Sequence, residues 1–198
     1  MGEPSRLPSS RRSIRPTAAA AESILTFWFK ETKPYLWFRR NDAFDAQIND
    51  RFADHVAAAK AGHLDVWRAH PRYSLALIIL LDQFSRNLFR DTPRAFAQDE
   101  QALDIARDAI TRHHGKIADD KAKSFYYMPF MHAEDLSVQI ESVNLFKAQL
   151  PGTMNLPFAI EHYEIVRDFG RFPHRNKILG RESTPAEIAF LKAGGFNP

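Results

Sequence analysis

The segment "LLDQFSRNLFRD" places several hydrogen-bonding side chains close together. Gln83, Arg86, Asn87 and Arg90 have the i, i+3, i+4 and i+7 spacing of residues that share one helix face. The preceding run, "LALIILL", is apolar all round, which is typical of a helix buried on every side. We therefore expect the four polar side chains to face an internal cleft. The alternative is a solvated helix end stabilised by i,i+4 pairs.

A second segment, "FGRFPHRNKILGR", concentrates basic side chains on a stretch that two glycines and Pro173 prevent from forming one helix. Guanidinium groups on a stiff connector suit bidentate capture of a carboxylate or phosphate. The alternative is that these arginines pair with Glu134, Asp135 or Asp82 and hold the C-terminus in place. The candidate ligand-binding residues of this segment are Arg171, His174, Arg175 and Asn176.

The segment "YYMPFMHAEDLSVQ" carries a candidate acid/base group. His132 just precedes a helix start, and Glu134 is placed to orient it as a proton shuttle. His174 is the other candidate acid/base, and Glu134 is a third candidate catalytic residue. The alternative is structural: acidic residues are common in first turns, and His132 can fill a niche in the core.

Neither a metal site nor a cofactor site is expected. His132, Glu134 and either His162 or His174 lack the H-x-x-x-H spacing that places two ligands on one helix face. His162 lies within an apolar stripe, which favours a packed core histidine. Phosphate-binding glycine loops and a G-x-S-x-G elbow are absent from the sequence.

Composition limits the classes of function. Of the 27 Lys and Arg residues four lie in the first sixteen positions, and of the 24 Asp and Glu residues one does. The rest of the chain has 23 basic and 23 acidic residues and is therefore formally neutral, so we expect no nucleic-acid partner. We expect no membrane partner, because the longest apolar run is far shorter than the roughly 20 residues that span a bilayer. The lack of cysteine fits a cytoplasmic location.

Helix signals dominate, and the predicted class is all-α. About eight helices joined by short connectors predict antiparallel helical hairpins around one core. One helix starts at Thr92–Pro93, and another is interrupted by Pro129. Residues 1–18 are expected to be a basic, disordered tail, and residues 19–198 a single domain.

Four stretches together resemble one family. "ILTFWF", "LLDQFSRNLFRDTPRAFAQD", "YMPFMHAEDLSVQ" and "FGRFPHRNKILGRESTPAEIAFL" are similar to the family called domain of unknown function 924. The resemblance covers about residues 22–196 and implies an all-helical, tetratricopeptide-like fold in a bacterial-centred family without an established activity. Ser85 and Asp91 stand where we expect proline and glycine in many relatives. The matching polar residues are Gln83, Arg86, Asn87, Arg90, His132, Glu134, Arg171, His174, Arg175 and Asn176.

Three functions remain open, and whether the protein is an enzyme is undecided. The first is binding of a small anionic molecule or a peptide carboxylate in an Arg/His/Asn-lined cleft. The second is a tetratricopeptide-like scaffold for a protein partner, with the polar motifs structural. The third is a hydrolase or transferase acting on a phosphate or acyl ester. In that case a histidine acts as acid/base, and water attacks, because no nucleophile can be identified.

Overall fold

The computed structural model describes residues 14–196, the side chain of Ile117 excepted, and this part of the chain folds into eight helices without strands. The third helix, α3, comprises residues 71–88 in three successive segments, Pro71–Ile78, Ile79–Phe84 and Ser85–Leu88. The other helices are α1 (Ala18–Thr26), α2 (Asp42–Lys60), α4 (Asp99–Thr111), α5 (Asp120–Met131), α6 (Leu136–Gln149), α7 (Asn155–Phe169) and α8 (Pro185–Lys192). The predicted all-α class is confirmed.

The helix α3 is the centre of the molecule. Every residue from Ser74 to Ser85 is buried, which explains why this segment is apolar on all sides. Its middle segment, Ile79–Phe84, is a π-helix, in which hydrogen bonds run from i to i+5. Helices α1, α2, α4 and α5 all pack against α3.

Successive helices along the second half of the chain lie against each other: α4 on α5, α5 on α6 and α6 on α7. Residues spaced for one helix face behave as expected in α2, where Phe44, Ile48, Phe52 and Val56 are all buried. Phe27 stacks on Phe44 within the main core. The described chain therefore has the helix-on-helix packing that short connectors predict.

A small second core lies near the C-terminus. Ile165, Val166 and Phe172 form an apolar cluster separate from the main one, with Phe190 and Phe196 packed against it. Helix α8 begins with a capping box in which Thr184 and Glu187 satisfy each other's backbone donors, the arrangement that a Thr-x-x-Glu spacing at a helix start favours. The C-terminal segment thus adds a small cluster to the one main core around which the helices pack.

Two helix boundaries differ from prediction. Helix α5 continues through Pro129 to Met131, because its last turns are buried and their packing outweighs the hydrogen bond lost at the proline. The Thr92–Pro93 signal starts only a 3₁₀ turn, Pro93–Ala95, and α4 begins at Asp99.

The expected basic tail falls largely on residues 1–13, which lie outside the described residues. Ile14, the first described residue, packs against the main core. In the part of the chain that is described, none of the helices is both long and apolar enough to cross a bilayer.

Candidate functional site

A buried carboxylate and an imidazole form the centre of the site. Asp82, on α3, is fully buried, and its Oδ1 lies 2.7 Å from Nδ1 of His132, the residue that follows α5. Its other oxygen accepts a hydrogen bond of 2.5 Å from the amide of Gln83. The His132 side chain is 17% exposed, and Nε2 has no hydrogen-bond partner within residues 14–196. One ring nitrogen thus contacts protein, and the other is left for a bound molecule.

The charges of this pair follow from their surroundings. Burial acts to raise the pKa of Asp82, but Arg86 and His132 together lower it below its usual range, so the carboxyl is ionised. Burial lowers the pKa of His132, although Asp82 opposes the shift. At neutral pH the imidazole is therefore uncharged. Because the ionised Asp82 can only accept, the proton belongs on Nδ1, and Nε2 is a free base.

The π-helical segment of α3 carries both Asp82 and Gln83. A second π-helical segment, Phe27–Glu31, directly follows α1, so the π geometry alone does not mark a functional site. The hydroxyl of Ser85 lies 3.4 Å from the carbonyl oxygen of Leu80, five residues earlier, in keeping with this wider turn. The chain places an ionised carboxylate in its most buried helix. Such a position is costly unless the carboxylate has partners.

Two arginines from distant segments meet at one carboxylate. Arg86 contacts Asp99 through both terminal nitrogens at 3.0 Å, and also contacts Asp82 at 3.0 Å. Arg175 donates to the same Asp99 at 3.1 Å. The structure thus brings the segment that contains Arg86 together with the segment that contains Arg175. Asp99, in the first turn of α4, contacts both arginines.

The guanidinium of Arg175 is held between two aromatic rings. It lies 4.5 Å from the centre of the Phe96 ring and 4.6 Å from that of Phe172, and the side chain is only 7% exposed. Burial lowers the pKa of Arg175 to about 10, while Asp99 opposes the shift, so the group stays cationic at neutral pH. The structure therefore fixes a positive charge beside His132.

The backbone around His132 is also held by side chains. Gln139 donates from Nε2 to the carbonyl oxygens of Met131 and Ala133, both at 2.7 Å. Arg175 donates to the carbonyl oxygen of His132 itself at 3.1 Å. Three consecutive carbonyls at the end of α5 thus have side-chain donors, which fixes the imidazole's position.

Glu134 does not orient His132, which corrects the expectation from the sequence. Its carboxylate accepts two hydrogen bonds from Arg181 and one from the backbone N–H of Phe172. Burial acts to raise the pKa of Glu134, but these donors lower it, so Glu134 remains ionised. Asp82 supplies the orienting carboxylate instead, and Glu134 holds the C-terminal segment to the site.

Three other predicted residues lie within the C-terminal segment. Arg171 pairs with the buried Glu187 at 2.6 Å and holds the start of α8. Asn176 contacts Ser183 and Arg181. His174 packs on the rings of Phe172 and Phe196, and burial lowers its pKa to about 3. None of these three residues is among those that line the cleft at His132.

Asn87 and Arg90 are turned away from this cluster. Both donate to Asp45 on α2, at 2.8 Å for Asn87 and 2.5 Å for the shortest Arg90 contact. The four-residue polar face predicted from the sequence is therefore divided. Neighbouring helix positions are about 100° apart, so Arg86 and Asn87 reach different carboxylates.

A cleft of about 430 Å³ opens at His132, within the range of sites for small molecules. His132, Glu134 and Arg175 line it together with Asp99, as do apolar residues such as Phe96. Within residues 14–196 no group of three or more His, Asp or Glu side chains is arranged to hold a metal ion. What the cleft offers is an oriented imidazole beside a buried guanidinium.

A family model described as bacterial protein of unknown function (DUF924) matches residues 24–195. The chain belongs to this family. A solved structure, that of the protein of unknown function ATU0120 from Agrobacterium tumefaciens, is 45% identical, with a TM-score of 0.86 over 90% of this chain and 99% of that one. The curated proteins include no match to the chain.

One departure from the pattern expected of DUF924 relatives has a structural basis. Asp91 has a φ of +58°, in the left-handed region where glycine is favoured. Its side chain accepts a hydrogen bond of 2.9 Å from Arg40. The backbone of this chain at position 91 therefore suits glycine, and glycine in relatives stays a prediction.

Sequence reasoning missed two residues of this DUF924 site as functional candidates, Asp82 and Asp99. A signal for Asp82 was present, since a carboxylate that directly follows the apolar run "LALIILL" must be buried with partners. Asp99 had no comparable signal, because acidic residues in the first turn of a helix are ordinary.

Proposed function

We propose that this DUF924 protein is a hydrolase that uses His132 to activate water for attack on an ester. The observation that carries the proposal is the pairing of His132 Nδ1 with the buried, ionised Asp82 at 2.7 Å while Nε2 remains free beside a cleft. An imidazole oriented by a carboxylate is the arrangement that general-base catalysis needs. The lack of cysteine supports a cytoplasmic location as part of the proposal.

The proposed roles follow from the contacts. Nε2 of His132 takes a proton from water as the water oxygen bonds to the electrophilic centre of the ester. Asp82 stabilises the imidazolium that forms as the proton is taken up. The imidazolium then gives its proton to the leaving alcohol oxygen, which restores the neutral base.

Binding of a small anion or a peptide carboxylate, expected from the arginines, remains a prediction. We rank it below hydrolysis because the guanidinium groups already have carboxylate partners. Arg86 and Arg175 share Asp99, Arg181 pairs with Glu134, and Arg90 pairs with Asp45.

A protein-interaction scaffold is the second candidate function, and one observation favours it. Leu136, Ile140 and Phe158 are exposed on the neighbouring helices α6 and α7. Exposed apolar residues on adjacent helices can form a binding face for a partner. If this function is the true one, charge-reversing changes at the His132 cleft will leave partner binding unaltered.

The experiment is a screen of carboxylate and phosphate esters with the wild type, His132→Gln and the matched control His63→Gln, whose histidine is exposed. We expect kcat/KM for a hydrolysed ester to fall by about 10²- to 10⁴-fold in His132→Gln, the usual contribution of a general base. His63→Gln is expected to match the wild type. Equal rates in the wild type and a folded His132→Gln variant, for every ester, would refute the proposal.

A further inference from the structure

The cleft at His132 has more acidic than basic residues in its lining. Asp99, Glu100, Glu134 and Asp135 are acidic, whereas Arg175 is the single lysine or arginine among the lining residues, and His132 is neutral. Asp99 and Glu134 have guanidinium partners. The cations of this region are therefore already neutralised before any ligand binds.

Glu100 and Asp135 are the surplus charges. Both are exposed, and within the described part of the chain neither has a basic nitrogen within ion-pair distance. One Asp135 oxygen accepts hydrogen bonds from the backbone N–H groups of Ser137 and Val138 at the start of α6. These two carboxylates stand at the cleft and repel an anionic ligand, since like charges brought together are unfavourable.

The remaining wall of the cleft is apolar. Its apolar lining includes Phe96 and Leu103 near and on α4, Ala133 after α5, and Leu179 in the C-terminal connector. Burial of a hydrocarbon group against such a wall removes apolar atoms from water and so favours binding. Shape and chemistry therefore favour a ligand with a hydrocarbon group and no negative charge.

From this balance we infer that the substrate is an ester of an uncharged, apolar carboxylic acid rather than a phosphate ester or the ester of a dicarboxylic acid. The inference rests on the proposed function and specifies its substrate class. The acyl chain lies against the apolar wall, and the carbonyl carbon faces Nε2 of His132.

The reaction needs only water. The water oxygen bonds to the acyl carbon while its proton passes to Nε2, and the carbonyl electron pair moves to oxygen. Return of that pair breaks the bond to the alcohol oxygen, which takes the proton from Nε2. The products are a carboxylic acid and an alcohol. The acid then ionises, and Glu100 and Asp135 favour its release by repulsion.

The test compares p-nitrophenyl butyrate with mono-p-nitrophenyl succinate and p-nitrophenyl phosphate on the full chain. The first two esters share the leaving group and the length of the acyl chain, and differ in the terminal carboxylate. We expect kcat/KM for the butyrate to exceed that for the succinate by about tenfold or more. We expect no hydrolysis of the phosphate above the His132→Gln background.

A charge-reversed variant shows whether the preference arises at the cleft. Glu100→Lys is expected to narrow the butyrate-to-succinate ratio by raising kcat/KM for the succinate ester. Asp50→Lys, an exposed site on α2, is the matched control and is expected to leave the ratio unchanged.

The outcomes separate this inference from the proposed function. Faster hydrolysis of the succinate or phosphate ester, lost in His132→Gln, overturns the substrate class and leaves the hydrolase standing. The inference is also overturned if Asp50→Lys changes the butyrate-to-succinate ratio of kcat/KM as much as Glu100→Lys does. The preference would then not arise at the cleft. Failure of the wild type to hydrolyse any ester faster than His132→Gln removes the proposed function, and this inference with it.

Discussion

At the scale of single residues, His132 is set apart by having two different environments. Nδ1 meets the ionised Asp82, which is fully buried, whereas Nε2 has no hydrogen-bond partner in the described residues and the side chain borders a cleft. A free ring nitrogen alone does not mark function here, because His162 is bonded only through Nδ1 and Nδ1 of His174 has no partner in the described residues. What sets His132 apart is a buried carboxylate on Nδ1 combined with a free Nε2.

We predict that Asp82→Asn lowers ester hydrolysis by about 10²-fold or more, because an amide no longer requires the proton on Nδ1 and does not stabilise the imidazolium. The tautomer of His132 can be read directly by ¹⁵N NMR of labelled histidine. The wild type is expected to give the Nδ1–H form at pH 7. An unchanged tautomer together with an unchanged rate in a folded variant would show that Asp82 does not direct His132.

The sequence indicates His132 as a candidate, because it stands beside a helix start with acidic neighbours. It does not indicate which carboxylate contacts the ring. Glu134 is two residues away in the chain, but Asp82 is fifty residues away, and only the packing of α3 against α5 brings it within 2.7 Å. Proximity in sequence thus gave the wrong carboxylate, because tertiary contacts decide which one is aimed at the ring.

At the scale of elements, the π-helical segment in α3 is the feature that positions the site. It carries Asp82, whose Oδ1 contacts His132, and the ordinary helical turn that follows carries Arg86, which contacts Asp99. The prediction of one polar face for Gln83, Arg86, Asn87 and Arg90 took the whole segment as a regular α-helix with 100° per residue. The wider π-turn and the different partners of Arg86 and Asn87 could not be read from residue types alone.

The turn after α3 gives a prediction about stability. Asp91 has a φ of +58°, which costs a residue with a Cβ roughly 1 kcal/mol, and its ion pair with Arg40 is exposed and contributes little. We predict that the free energy of unfolding of Asp91→Gly is greater than that of Asp91→Ala by about 1 kcal/mol. Chemical denaturation of both variants measures this, and equal stability would contradict the assigned backbone conformation.

At the scale of the whole molecule, the C-terminal segment completes the site from outside the main core. It contributes Arg175 to the cleft, and it is held by Glu134 through Arg181 and the N–H of Phe172. The helix content, the central apolar helix and the capping box of α8 were all predictable from sequence. The separate C-terminal cluster was not, since apolar spacing shows which residues are buried but not against which neighbours.

The buried histidines of this second cluster make stability depend on pH. Burial lowers the pKa of His162 and of His174 to about 3 each, against about 6.5 in the unfolded chain. Below pH 6.5 the unfolded chain binds protons that the native protein does not. The stabilisation is therefore fully present above pH 6.5 and is lost as the pH falls toward 3, at about 1.4 kcal/mol per pH unit for each histidine.

The free energy of unfolding of the wild type falls as the pH is lowered from 6 to 5. We predict that His174→Leu makes this fall smaller by about 1.4 kcal/mol per pH unit, the contribution of one proton. Urea unfolding at several pH values measures the slope. His63→Leu, which changes an exposed histidine, is the control and is expected to keep the wild-type slope. If the free energy of unfolding depends on pH equally in His174→Leu and the wild type, His174 has the same pKa in the native and unfolded states, which contradicts the prediction.

The central claim is that neutral His132 is the base that activates water, and the pH dependence of kcat/KM for a neutral ester tests it most directly. Burial lowers the pKa of His132, so the base form persists below pH 6.5 and activity falls only as the pH drops through that lowered value. We predict a flat rate near neutral pH and a single acid limb with its midpoint below 6.5, absent from His132→Gln. A midpoint above 6.5, or a rate that rises steadily with hydroxide and is the same in His132→Gln, would contradict the account.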